Sequence, residues 1–228
     1  MKILITSGGT TEKIDSVRGI TNHSTGTLGK YIAEAFLAGG YEVTLVTTKA
    51  AVKPEAHKKM TIHLVSDVAS LMGTLRPLVK THDVLIHSMA VSDYTPVYMT
   101  DLDEVEDSSN IAQLLTKKNS AAKISSKSDY QVLFLKKTPK IISLVKEWNP
   151  TIQLIGFKLL VSVPKEELFA VARDSLIKNH AKFILANDLT EITPTQHHAY
   201  LLTETKSYEA WTKADIAQLI YEKVTTDD

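Results

Sequence analysis

The chain has 228 residues with 26 Lys plus Arg against 26 Asp plus Glu, so net charge gives no reason to expect a polyanionic partner or an acidic membrane surface. It contains no cysteine, which excludes disulfide scaffolds, thiol nucleophiles and thiolate metal sites, and its eight histidines show no H-E-x-x-H or similar spacing. No apolar run reaches the length of a membrane span and no signal peptide opens the chain; this predicts a cytoplasmic enzyme or binding protein, with neither nucleic acid nor membrane as partner.

Residues 1–6 form a hydrophobic run that reads as a buried strand of a parallel sheet. Ser7, Gly8, Gly9 and Thr10 follow. After Asn22, His23, Ser24, Thr25 and Gly26 a helical pattern places Leu28, Ile32, Ala35 and Phe36 on one face and stops at Gly39 and Gly40. Residues 41–47 complete a βαβ unit. Small residues between strand and helix let backbone N–H groups approach an anion, and the helix N-terminus adds partial positive charge, so a nucleotide phosphate belongs here. A strict G-x-G-x-x-G is absent, since only Gly26-x-x-Gly29 has its spacing. Residues 47–49 supply no acid for a dinucleotide ribose. The pattern favours a nucleoside triphosphate over a dinucleotide; the alternative is a glycine turn with Ser24 or Thr25 capping the helix.

Residues 60–65 read as a third strand. Asp67 then caps a helix through Leu71, Leu75 and Leu78 that Pro77 kinks or ends. Residues 83–90 read as a fourth strand whose end runs into a small, polar turn at 91–96, where a ligand would sit in an open α/β sheet. Order then breaks down over 97–128, a stretch long enough to be functional or disordered. Strand character resumes at 130–135, and Thr138 and Pro139 open a helix that buries Ile141, Ile142 and Val145. A strand at 152–157, a long helix from Pro164, a strand at 182–186 ending in Asn187 and Asp188, an edge strand at 198–203 and a last helix through Ile216 and Val224 complete the chain. The alternation predicts a single α/β domain over 1–228: a three-layer, Rossmann-like, mostly parallel sheet with helices on both faces and one irregular excursion at 97–128.

Several of these motifs together, in this order, carry a resemblance. Gly8-Gly9-Thr10, Val17-Arg18, Asn22-His23-Ser24-Thr25-Gly26-x-x-Gly29, Ala90-Val91-Ser92-Asp93-Tyr94, Lys123-Ile124 and Ala186-Asn187-Asp188 resemble phosphopantothenate–cysteine ligase. The likeness runs over almost the whole chain and is similar to the free-standing bacterial form, without a flavin-dependent decarboxylase. It implies that CTP, with Mg2+, activates 4′-phosphopantothenate as an acyl-cytidylate that L-cysteine then attacks, in coenzyme A biosynthesis, in a homodimer. On that resemblance Asn22 and Lys123 are catalytic. Gly8, Ser24, Gly26, Gly29, Phe157, Lys178 and Asn187 bind nucleotide, while Arg18, Met89, Ala90 and Asp93 bind substrate. The scattered histidine spacing predicts no tightly held structural metal. The chain departs from the family at Met89, where many relatives carry alanine, and at Ser125 and Ser126, where relatives often carry lysines. Other readings of the residues stay open: Lys127 competes with Lys123, Arg18 could pair with Asp15 or Glu12 as a surface arginine, and Phe157 could be core. An NAD(P)-linked oxidoreductase or a non-catalytic nucleotide-binding module are the alternative functions.

Overall fold

The computed structural model describes residues 1–226. Its centre is an eight-stranded sheet. Going along the chain, β1 (Lys2–Ser7) leads through α1 (Thr27–Ala38) to β4 (Glu42–Thr48), and β5 (Met60–Val65) follows it. Helix α2 (Val68–Val79) returns the chain to β6 (Val84–His87). Later come α5 (Ile141–Trp148), β9 (Gln153–Leu160), α6 (Lys165–Asn179) and β10 (Phe183–Asp188). The chain ends with β11 (Ala199–Leu202), β12 (Ser207–Ala210) and α7 (Lys213–Thr225). In space the order is β12-β11-β10-β9-β6-β1-β4-β5; the six strands from β10 to β5 are parallel, and β11 and β12 add antiparallel.

Alternate residues of each strand feed two cores. Leu4, Val46, Leu85, Leu154 and Ile184 meet α2, α5 and α6 on one face. Ile3, Ile5, Val43, Ile86, Ile155 and Leu185 meet α1 and α7 on the other. A strand buried on both faces needs an unbroken apolar run, which is why the sequence reads so clearly here. Each fully buried Leu or Ile is worth ~1.5–3 kcal/mol relative to exposure.

Asp67 is the N-cap of α2: its carboxylate accepts the Ser70 N–H at 2.8 Å in a reciprocal capping box. Pro77 neither breaks nor prematurely ends the helix, which runs on to Val79. It stands in the last turn, where the N–H it lacks costs one bond only.

Three differences from the sequence reading concern strands. Residues 91–101 are not a turn running into disorder: β7 (Tyr94–Asp101) pairs antiparallel with β8 (Gln131–Lys137) as a separate two-stranded arm. Pro96, which has no N–H to give a ladder, sits at the irregularity in that pairing. The excursion also holds α3 (Leu102–Asp107), capped by Asp101, and the short α4 (Ile111–Leu114), capped by Asn110; residues 115–130 have neither helix nor strand. Second, β2 (Thr11–Lys13) and β3 (Gly19–Thr21) form a small hairpin inside the first crossover. Third, β11 is an internal strand, because β12 covers its far side.

Candidate functional site

Strand β1 feeds β4 on one side while the return through α2 places β6 on the other, so a crevice opens between the carboxyl ends of β1 and β6. The two segments leaving these strands are stitched together. Ala90 N–H donates to the Gly8 carbonyl at 2.9 Å, Thr10 N–H donates to the Ala90 carbonyl at 3.0 Å, and Ser92 N–H donates to Thr10 Oγ1 at 2.9 Å.

Glycines at this junction answer to steric need. Gly8 (φ +88°) and Gly26 (φ +78°) both pack on Ala51, where an added Cβ would come within 2.8 Å of the Ala51 Cβ. A Cβ on Gly29 would stand 2.3 Å from Ser7 Oγ, so this glycine lets α1 lie directly on β1. Ser7 Oγ in turn donates to the Gly26 carbonyl at 3.0 Å. Gly26 itself holds the N-cap position of α1 and gives no side-chain cap; of the two residues in the sequence alternative, Thr25 Oγ1 accepts the Thr27 N–H at 3.4 Å from one position earlier, and Ser24 makes no such bond among the described residues. The N–H groups of Leu28 and Gly29 and the positive end of α1 are left facing the loop.

Asn22 and Ser24 line a cleft of about 380 Å³ beside this helix start, together with Gly9, His23 and Lys49. Asn22 Nδ2 donates to the Val91 carbonyl at 3.1 Å, which aims the amide across the crevice from the β1 side to the β6 side. Gly9 is the tightest position: a Cβ there would meet the Asn22 carbonyl oxygen at 2.1 Å. In the sequence, Gly9 and His23 had no site role of their own, only a place in the motifs around Gly8 and Asn22, and Lys49 carried no signal for this cleft.

A second hollow, about 140 Å³, opens on the β6–β9 side, and Met89, Asp93 and Phe157 line it with His87 and Lys140. Phe157 is half-buried, against the inner core at one end and the hollow at the other. The sequence divided these residues between nucleotide and substrate; the fold puts all three around one space. Asp93 forms an ion pair with Lys140, and its carbonyl accepts the Thr138 N–H at 2.9 Å. His87 Nδ1 meets Thr6 Oγ1 at 2.8 Å, and burial pushes the ring down to about 4, so it is neutral near pH 7. Asn187 is buried near the carboxyl end of β10, one strand beyond Phe157.

Arg18 is paired with Asp15 rather than Glu12. Its Nε and Nη2 donate to Asp15 Oδ2 at 3.0 and 2.6 Å, whereas Glu12 is buried and accepts the Val68 N–H at the start of α2. Hydrogen bonds from Arg18 and from neighbouring backbone hold the Asp15 carboxyl well below the usual carboxylate range. Lys123 lies in the 115–130 stretch with an exposed side chain that has no ion pair or hydrogen bond among the described residues.

Lys178 does not join the others. It occupies the last turn of α6, and that helix descends from the carboxyl edge of β9 to the amino edge of β10. A 15-residue helix is ~22 Å long, so Lys178 is at the opposite edge of the sheet.

The family model described as "DNA/pantothenate metabolism flavoprotein C-terminal domain" matches residues 1–105 and 103–227. The coenzyme A biosynthesis bifunctional protein CoaBC of Thermococcus kodakarensis is 30% identical over 226 residues, covering 98% of this chain and 50% of that protein. The chain spans about half the length of the curated relatives it matches. Among solved structures, the DNA/pantothenate metabolism flavoprotein from Streptococcus pneumoniae is 59% identical with a TM-score of 0.94, covering 98% of both chains. The C-terminal domain of a coenzyme A biosynthesis bifunctional protein CoaBC is 26% identical with a TM-score of 0.72, covering 98% of this chain and 93% of that one. Sequence and fold thus agree along nearly the entire length, and the chain belongs to the DNA/pantothenate metabolism flavoprotein C-terminal domain family.

Proposed function

We propose that the protein is a phosphopantothenate–cysteine ligase that uses CTP, forming an acyl-cytidylate and releasing pyrophosphate before the cysteine amine displaces CMP. The observation that carries the reading is the Asn22 amide reaching across the β1–β6 crevice to the Val91 carbonyl, a few residues before a helix whose N-cap is the glycine Gly26, in a chain of this family. The triphosphate lies against Gly8, Ser24, Gly26 and Gly29, where backbone N–H groups and the α1 dipole favour anions. Mg2+ supplies charge neutralisation when bound, on phosphate oxygens and water; among the described residues no three His, Cys, Asp or Glu side chains gather to hold a metal.

Lys123 brings a free ammonium to the charge that builds on the α-phosphate. Asn22 spends one amide proton on the Val91 carbonyl, which fixes its orientation, and offers the other to the acyl carbonyl oxygen as cysteine attacks. Met89, Asp93 and Phe157 shape one wall, Asn187 stands buried at the end of the next strand, and Ala90 holds the β1 loop against the β6 loop. Arg18 Nη1 makes no hydrogen bond among the described residues, which supports the reading that this arginine takes the phosphate of phosphopantothenate, across a homodimer as the family resemblance implies. No acid stands at the end of β4, where Thr47 and Thr48 close the strand, and this weighs against a dinucleotide enzyme.

The test is pyrophosphate release with phosphopantothenate and each nucleoside triphosphate in turn, followed by mass spectrometry of quenched mixtures lacking cysteine. CTP should be the best substrate; better turnover with ATP would reject CTP alone, and none with any triphosphate would reject the ligase. Lys123→Gln should lose the first step by roughly 100- to 1000-fold, the usual cost of a lost charge stabiliser. Asn22→Asp should still make acyl-cytidylate and let it accumulate, because an anion opposes the oxyanion of the second step. The reverse pattern would exchange the two roles.

A further inference from the structure

Lys123 lies where the chain has neither helix nor strand, yet the backbone on both sides of it is held. Ser16 N–H donates to the Ala122 carbonyl at 2.9 Å, Ile124 N–H donates to Asp15 Oδ2 at 3.2 Å, and Arg18 Nη2 donates to the Ile124 carbonyl at 2.9 Å. Asp15 is the hub. Its Oδ1 accepts the N–H groups of Val17 and Arg18, both at 2.8 Å, while Oδ2 takes the Arg18 guanidinium in addition to Ile124. The Asp15 side chain has 0% exposure against 35% for Arg18, so the carboxylate is enclosed by its donors.

Charge-assisted hydrogen bonds to an enclosed carboxylate are among the stronger polar contacts in a protein. Here they join segments 109 residues apart. Lys127, the lysine that competes with Lys123 for the role, has only a local bond from its N–H to Ser125 Oγ among the described residues. The clasp therefore separates two lysines that composition leaves equivalent.

We propose that Asp15 is the positioning residue for Lys123: its carboxylate holds the loop backbone at Ile124 while the next residue, Ser16, holds it at Ala122, so that the ammonium is delivered to the reacting phosphate from a fixed base. The catalytic half of this statement rests on the ligase reading; the mechanical half does not. Because the clasp uses Nε and Nη2 of Arg18 and leaves Nη1, a phosphate can bind the same arginine without opening it.

The experiment pairs Asp15→Asn with Asp129→Asn, a carboxylate on the same stretch but outside the clasp, in the full-length protein. With one charged acceptor weakened, trypsin cleavage after Lys123 should speed up about tenfold in Asp15→Asn while cleavage after Lys206, in the β11–β12 turn, stays unchanged. In the same variant kcat for pyrophosphate release should fall about tenfold with the KM for CTP within about twofold, since charge placement and not nucleotide binding is lost. Asp129→Asn should match the native protein in both. Unchanged cleavage and kcat in Asp15→Asn would overturn the proposal, as would equal acceleration at Lys123 and Lys206, which signals general loosening. Should Asp15→Asn not fold, hydrogen exchange on the native protein decides: the amides of Ser16 and Ile124 should be protected about tenfold or more over those of 125–128, and equal exchange would overturn the clasp. A native protein that releases no pyrophosphate refutes the ligase and with it the catalytic half, while the cleavage and exchange results still judge the clasp.

Discussion

Two neighbouring histidines show how differently one side-chain type is used. His198 Nδ1 meets Glu191 at 2.8 Å and Nε2 meets Glu209 at 2.6 Å, with the ring stacked on Trp211 at 3.9 Å. His197 is buried with neither ring nitrogen hydrogen-bonded among the described residues, and burial, helped by the charge of Lys213, pushes it down to about 4. His87 is pushed to the same value by burial. Both rings are neutral in the fold and bind a proton near pH 6.5 when unfolded, so the unfolded chain holds more protons below that pH. Stability is therefore highest above about pH 6.5 and falls as pH drops toward 4. For the enclosed His87 the shift corresponds to about 3 kcal/mol. Asp15 and Asp188, held low by hydrogen bonds, add a further loss once the medium falls below the ordinary carboxylate range. Thermal melts from pH 8 to pH 4 should show this fall, and His197→Phe should be shallower between pH 6.5 and 4. An equal slope in the variant would remove His197 from the account.

Helices α1 and α2 each contain a glycine, and their environments predict opposite outcomes. Gly29 has Ser7 Oγ and Cβ at 2.3 and 2.5 Å from where a Cβ would lie, so Gly29→Ala must push α1 off β1. Overpacking of this kind costs ~1–3 kcal/mol. Nothing lies within 4 Å of a Cβ on Gly73, in the middle of α2. Gly73→Ala should then stabilise by ~0.5–1 kcal/mol, the helix cost of glycine. Chemical denaturation of both variants checks the pair, and a stabilising Gly29→Ala would refute the packing argument. The elements themselves were legible to different degrees. Central strands carry continuous apolar runs and α2 carries its Asp67 cap. Strand β7 contains Pro96 and is only half-buried, and β12 is a four-residue edge, so neither has a strong pattern of its own.

Assembly determines what Arg18 can reach. The proposed homodimer lends Arg18 of one subunit to the phosphopantothenate site of the other, so Arg18→Ala should raise the KM for phosphopantothenate about tenfold while the KM for CTP stays within about twofold. Mixing Arg18→Ala with Lys123→Gln supplies a stricter check. If the arginine acts across the interface, a mixed dimer regains one site with both residues intact, and activity at low phosphopantothenate should rise above either variant alone. No recovery, or a strict monomer by light scattering at assay concentration, would refute the cross-subunit role.

The sequence by itself determined the α/β class, the glycine-rich junction after β1, and the family to which Asn22, Gly26 and Gly29 point. Those features are local: an apolar run, a glycine spacing and a helix start are written in consecutive residues. Tertiary structure alone decided that Phe157 shares a hollow with Met89 and Asp93, that Lys178 stands at the far edge of the sheet, and that the strand at Gln131–Lys137 leaves the main sheet to pair with Tyr94–Asp101. It alone chose Asp15 over Glu12 as the partner of Arg18 and tied that pair to the backbone beside Lys123. The physical reason is range. A carboxylate and a peptide N–H separated by 109 residues meet only after sheet, crossover and arm are in place, and no spacing in the chain records their meeting.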